Sequence, residues 1–104
     1  MNAAGKLAAI RRHLSEPLVL ARLERGEKTA AEIGDELRAA GVYVRDENVL
    51  VYLARLRRSG LAAPQELPAS STATDLVYAL TADGRAHLAA FREHWDTLTH
   101  ALGP

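Results

Sequence analysis

Two short amphipathic segments meet at a glycine stop near the middle of this chain, and they restrict its fold more than any other feature. Thr29-Ala-Ala-Glu32 has the spacing of a capping box, in which a hydroxyl and a carboxylate satisfy the first free amides of a new helix. Ile33, Leu37 and Ala40 supply an apolar stripe, and Gly41 is placed to end the helix. After the link Val42-Tyr43-Val44, a further helix is predicted from Asp46 to Ser59, with Val49, Leu53 and Leu56 as its buried line and Gly60 as its stop. Two helices joined by so short a turn are the arrangement of a helix-turn-helix.

The flanks extend this pattern. Leu7, Ile10 and Leu14 predict a short N-terminal helix. Ser15, with Glu16 and Pro17 behind it, reads as the cap of a second helix running through Leu18 to Arg25 and stopped by Gly26. Downstream, Leu61–Leu67 and Asp75–Leu80 predict a β-hairpin joined by the small, polar loop Pro68–Thr74. Thr81 caps a last, long helix on which Leu88, Phe91, Trp95, Leu98 and Leu102 form a heptad-like seam. The expectation is a mainly α chain with a small β-hairpin: a winged helix-turn-helix over 1–80 and a C-terminal dimerisation helix over 81–104, forming one compact domain.

Composition removes several function classes. There is no cysteine, which excludes thiol catalysis, thiolate metal sites and disulfides and fits a cytoplasmic protein. Met1–Leu14 lacks the order of a signal peptide, and no apolar run approaches the ~20 residues of a membrane span. His87 and His94 share a helix without an accompanying carboxylate or thiol cluster, so neither a metal nor another cofactor is expected. No glycine-rich phosphate loop or nucleophile elbow points to an enzyme.

The charges point elsewhere. Thirteen basic and thirteen acidic residues cancel, which counts against nucleic-acid binding. Yet Arg45, Arg55, Arg57 and Arg58 fall close together around the helix predicted for 46–59. At about 100° per residue, Asn48, Val51, Arg55 and Arg58 lie opposite the buried line, with Tyr52 at the border. Arginine pairs with guanine and asparagine with adenine in the major groove. The expected partner is double-stranded operator DNA, contacted by Arg45, Asn48, Val51, Tyr52, Arg55 and Arg58, with Lys28 and Thr29 at a helix start suited to phosphate.

Leu53-Ala-Arg-Leu-Arg-Arg-Ser-Gly-Leu61 and Tyr78-Ala-Leu-Thr-Ala-Asp-Gly-Arg85 resemble the PadR-like transcriptional regulators, over about Ser15 to Leu102. The first is similar to the end of that family's recognition helix, the second to its strand-to-helix junction. Such segments also occur in other winged-helix families such as the MarR group. The resemblance implies a dimer joined through the C-terminal helices, a palindromic operator and repression. It also implies a flat hydrophobic effector held between paired tryptophans, here Trp95 with Phe91 beside it. Leu88, Phe91, Trp95, Leu98 and Leu102 are the expected dimer interface. The chain departs from the family's "GTLYPAL" pattern: Leu50 and Val51 stand where tyrosine and proline are usual. The wing Ala62–Asp75 has no lysine or arginine and carries Glu66 and Asp75. A protein-interaction module on the same fold, with Val51 and Tyr52 in its surface, is the alternative.

Overall fold

The computed structural model describes residues 3–65 and 76–104. The loop predicted between the wing strands, with Glu66 and Asp75, lies outside them. In chain order the elements are α1 (Ala3–Leu23), β1 (Lys28–Thr29), α2 (Ala30–Ala39), α3 (Asp46–Arg58), β2 (Ala62–Pro64), β3 (Val77–Leu80) and α4 (Ala82–Leu102). Three helices and a small sheet enclose one core, and α4 runs out from it. This is a winged helix.

The core is assembled from helix stripes and one sheet face. Val19, Leu20 and Leu23 of α1, Ile33 and Leu37 of α2, and Val49, Leu53 and Leu56 of α3 are all buried. Ala62, Tyr78, Leu80 and Leu88 close it from the sheet and α4. At about 25 cal/mol per Å² of apolar surface, each fully buried leucine stabilises the fold by about 2 kcal/mol.

Three expectations change. The N-terminal segments are one helix, because Ser15 is no cap: its Oγ donates to the Arg11 carbonyl at 2.9 Å, one turn back within α1. Pro17 sits inside the same helix and removes one of its backbone donors. The core contacts of α1 lie after Pro17: Val19, Leu20 and Leu23 are buried and Leu18 and Ala21 pack against the core, while Leu7 and Ile10 before it stay exposed. The wing is not a lone hairpin. β3 is central in a three-stranded antiparallel sheet ordered β1-β3-β2, with Lys28 opposite Tyr78 on one side and Pro64 opposite Tyr78 on the other. Finally, Leu88 belongs to the chain's own core, at 2% exposure, and so leaves the seam expected to pair with a second copy.

The capping box forms as predicted. Thr29 N donates to Glu32 Oε1 at 2.9 Å, and Glu32 N donates to Thr29 Oγ1 at 3.2 Å. The amide of Thr29, before any other influence, holds the Glu32 carboxyl below its ordinary range. A second junction ties α4 to the end of α3. Thr81 N donates to the Leu61 carbonyl at 3.1 Å, and Thr81 Oγ1 donates to the Gly60 carbonyl at 2.7 Å while accepting from Gly84 N at 2.9 Å. A Cβ at Gly84 would collide with the Leu61 carbonyl oxygen, a backbone atom that cannot swing aside. This explains why a threonine followed by glycine three residues later marks the strand-to-helix step.

Gly84→Ala is therefore expected to lower unfolding free energy by about 1–3 kcal/mol or more, measured by urea denaturation; unchanged stability would mean α4 is seated differently. Because the carboxyl of Glu32 is depressed in the folded state, its contribution is present above the ordinary glutamate range and is lost as pH falls through the folded value. Glu32→Gln should thus be less stable than the parent at neutral pH and converge with it in acid.

Candidate nucleic-acid interface

The turn between α2 and α3 decides how α3 is presented. Gly41, with φ of 90°, reverses the chain after α2, a conformation costly for any residue with a Cβ. Arg38 then spans the turn. Its Nη1 donates to the Val44 carbonyl at 2.7 Å and to Asp46 Oδ1 at 3.1 Å, and its Nη2 donates to Asp35 Oδ1 at 2.7 Å. One guanidinium thus joins the last turn of α2, the link, and the first turn of α3. The bonds to Asp35 and then Asp46 raise its pKa further above that of a free guanidinium. Gly34 lets this cluster sit against α2: a Cβ there would lie 2.7 Å from Asp46 Oδ1. Arg38 drew no attention in the sequence, since its three acceptors lie on three separate segments.

Held in this way, α3 buries Val49, Leu53 and Leu56 completely. Asn48, Val51, Arg55 and Arg58 are exposed on the far side. Val51 keeps 45% of its surface in solvent, a large apolar side chain left uncovered. Arg55, Arg57 and Arg58 have no acidic partner within ion-pair distance among the described residues. At the other end, the Arg45 side chain is 82% exposed and reaches Glu47 only at 4.0 Å. Asn48 and Arg45 also border a groove of about 750 Å³ between α1 and the turn, where Arg11, Arg12, Tyr43 and Tyr52 face the same space. No carboxylate lines it among the described residues. Positive charge therefore continues from Arg45, at the cap of α3, onto α1. Tyr52 belongs to this groove and is half-buried.

Lys28 and Thr29 stand apart from this face. The Lys28 ammonium lies 3.3 Å from Glu36 Oε2, with only 14% of its side chain exposed, and Arg22 Nη1 is 3.8 Å from the same carboxylate. The Lys28 ammonium thus shares one carboxylate with Arg22, and the Thr29 hydroxyl is engaged in the cap.

On α4, Trp95, Leu98 and Leu102 remain 40%, 46% and 83% exposed, and Leu7 and Ile10 of α1 are similarly uncovered. Phe91 and Trp95 stack with ring centres 6.1 Å apart, beside a cavity of about 210 Å³ lined by Pro17, Ala21 and Leu88 among others. Among the described residues no group of three or more histidines and carboxylates could hold a metal, and no helix is long and apolar enough to cross a membrane.

No family model and no curated protein matches the sequence. Solved structures do. A PadR-like transcription factor from Bacteroides fragilis superposes with a TM-score of 0.79 at 19% identity, over 94% of this chain and 95% of that one. A PadR family transcriptional regulator from Eggerthella lenta DSM 2243 gives 0.81 at 22% identity, over 96% and 88%. The PadR of Bacillus subtilis, in complex with operator DNA, gives 0.65 at 16% identity, over 75% of this chain and 46% of that one. The shared feature at these identities is the winged-helix fold.

If Arg38 locks the turn, Arg38→Ala should speed hydrogen exchange at Asn48 and Val49, whose amides bond to the Arg45 carbonyl, and leave the Leu88 amide unaffected. Equal acceleration at both would make Arg38 a general stability contributor, not a turn lock.

Proposed function

We propose that the chain is a cytoplasmic, dimeric DNA-binding transcriptional regulator, a repressor of PadR-like type, that reads the major groove with α3. The observation that carries this reading is the exposed face of α3. Asn48, Arg55 and Arg58 stand opposite a fully buried line, with no acidic partner for the two arginines among the described residues. A B-DNA major groove about 12 Å wide admits one helix, and a face of amide and guanidinium donors meets base edges and phosphates there. The Bacillus subtilis structure carries operator DNA on a chain of similar fold, which favours nucleic acid over a protein partner for this face. Val51 supplies apolar contact suited to a thymine methyl. Arg45, with Arg11 and Arg12 across the groove, is placed for backbone phosphates. Lys28 and Thr29, engaged within the fold, are assigned no contact.

Dimerisation is supported by what α4 leaves uncovered. Trp95, Leu98 and Leu102 form an apolar strip along the outer half of a 21-residue helix, and a strip of this kind is normally closed by another helix. Two copies joined there would present two α3 helices to a two-fold-symmetric site. Phe91 and Trp95, at the edge of a small apolar cavity, would be the contact for a flat hydrophobic effector. The reading assigns binding and no reaction.

Replacing Arg55 and Arg58 together with alanine should weaken binding to a duplex from the DNA beside the protein's own coding sequence by about 2–6 kcal/mol if both contact bases. If they contact phosphate, the slope of log K against log salt should instead fall by about 0.9 for each. An unchanged affinity and slope in a mobility-shift titration would remove α3 as the reading helix. Leu98→Asp with Leu102→Asp should convert the protein from dimer to monomer in light scattering, leaving its circular dichroism intact; a monomeric parent would contradict the pairing.

A further inference from the structure

We infer that Glu47 is a specificity-determining residue that accepts a hydrogen bond from the exocyclic amino group of a cytosine. The inference rests on the proposed function of α3 and deepens it. Two acids open this helix, Asp46 and Glu47, and both suit the positive end of its dipole. Their surroundings differ. Asp46 is bound by Arg38 at 3.1 Å and belongs to the turn. Glu47 keeps 71% of its side chain exposed, and its one ionic neighbour among the described residues, Arg45, is 4.0 Å away.

Position makes Glu47 matter. Residues 47, 51, 54 and 58 follow the i, i+4, i+7, i+11 pattern, so Glu47 heads the line that runs through Val51 and Ala54 to Arg58, all of them exposed. In a helix-turn-helix the N-terminal residues of the second helix are those that reach base edges. Glu47 and Asn48 occupy that place, and Arg55 and Arg58 continue the exposed face towards the other end.

A carboxylate there is repelled by phosphate and by guanine O6 and N7. The favourable partner in the groove is an amino donor; adenine N6 stands beside the N7 acceptor, which repels a carboxylate, so the partner for glutamate is the N4 group of cytosine. The same charge penalises every duplex lacking a donor at that place, so it sharpens discrimination while lowering overall affinity. A chain of zero net charge whose reading face mixes one acid with arginines is built for selection more than for general attraction to DNA.

The test is enrichment of a random duplex library by the full chain, by E47A and by E47Q, with sequencing of the bound pools. The parent pool should hold one cytosine in each half-site, preferred on the order of tenfold or more. E47A should lose preference at that position alone while keeping the rest of the site, and E47Q should shift it towards adenine, which an amide reads. If the parent enriches a site and E47A enriches the same one, cytosine included, Glu47 is a helix-end charge only and the inference is wrong. If E47A changes affinity uniformly with no change at any position, it is equally wrong. A parent that enriches no sequence defeats the DNA-binding reading itself and the inference with it.

Discussion

Burial of Val49, Leu53 and Leu56 sets the rotation of α3 about its own axis. With those three side chains fully removed from water, turning the helix by even one residue would expose a leucine and bury a charged or polar group, at several kcal/mol. The outward direction of Asn48, Val51, Arg55 and Arg58 follows from that constraint. What the helix offers a partner is therefore decided in the core and not on the surface.

Rotation alone does not hold a helix in place along its length. Its two ends are tied by different chemistry. Arg38 binds the first turn of α3 to the end of α2 through hydrogen bonds to Asp35, the Val44 carbonyl and Asp46. At the other end, Thr81 and Gly84 bring the start of α4 against the carbonyls of Gly60 and Leu61. The second tie also carries α4, so that helix begins in space where α3 ends. In the proposed dimer such a connection would set the distance between two α3 helices, the quantity a half-site spacing depends on.

Local rules made much of this legible in the sequence. The Thr29–Glu32 capping box, the Val49–Leu53–Leu56 line and the Thr81 cap involve residues within one or two turns of each other, and the structure has all three. One departure is local: Ser15, Glu16 and Pro17 look like a helix start, but the Ser15 hydroxyl turns back to the Arg11 carbonyl inside a continuous α1. The others are non-local. β1 is two residues long and exists only through pairing with β3, far along the chain. Leu88 fits the heptad spacing of the α4 seam, yet the winged-helix core claims it first. The same applies to charge. Lys28 looked free for phosphate until Glu36 of α2 met it, and Arg11 and Arg12 entered the candidate surface only when α1 was placed beside the turn.

The neutral overall charge of the chain counts against general attraction to DNA, and what favours α3 is local. Asp35, Asp46, Glu24 and Glu36 are all taken up by cations of the fold, leaving Arg55, Arg57 and Arg58 with no acidic partner among the described residues. Amide chemical-shift mapping tests this account most directly: the isotope-labelled full chain is titrated with a duplex it enriches from random sequence. The account predicts that the largest changes fall between Arg45 and Arg58 and recede as salt is raised. Changes confined to α4, or none along α3, would contradict it.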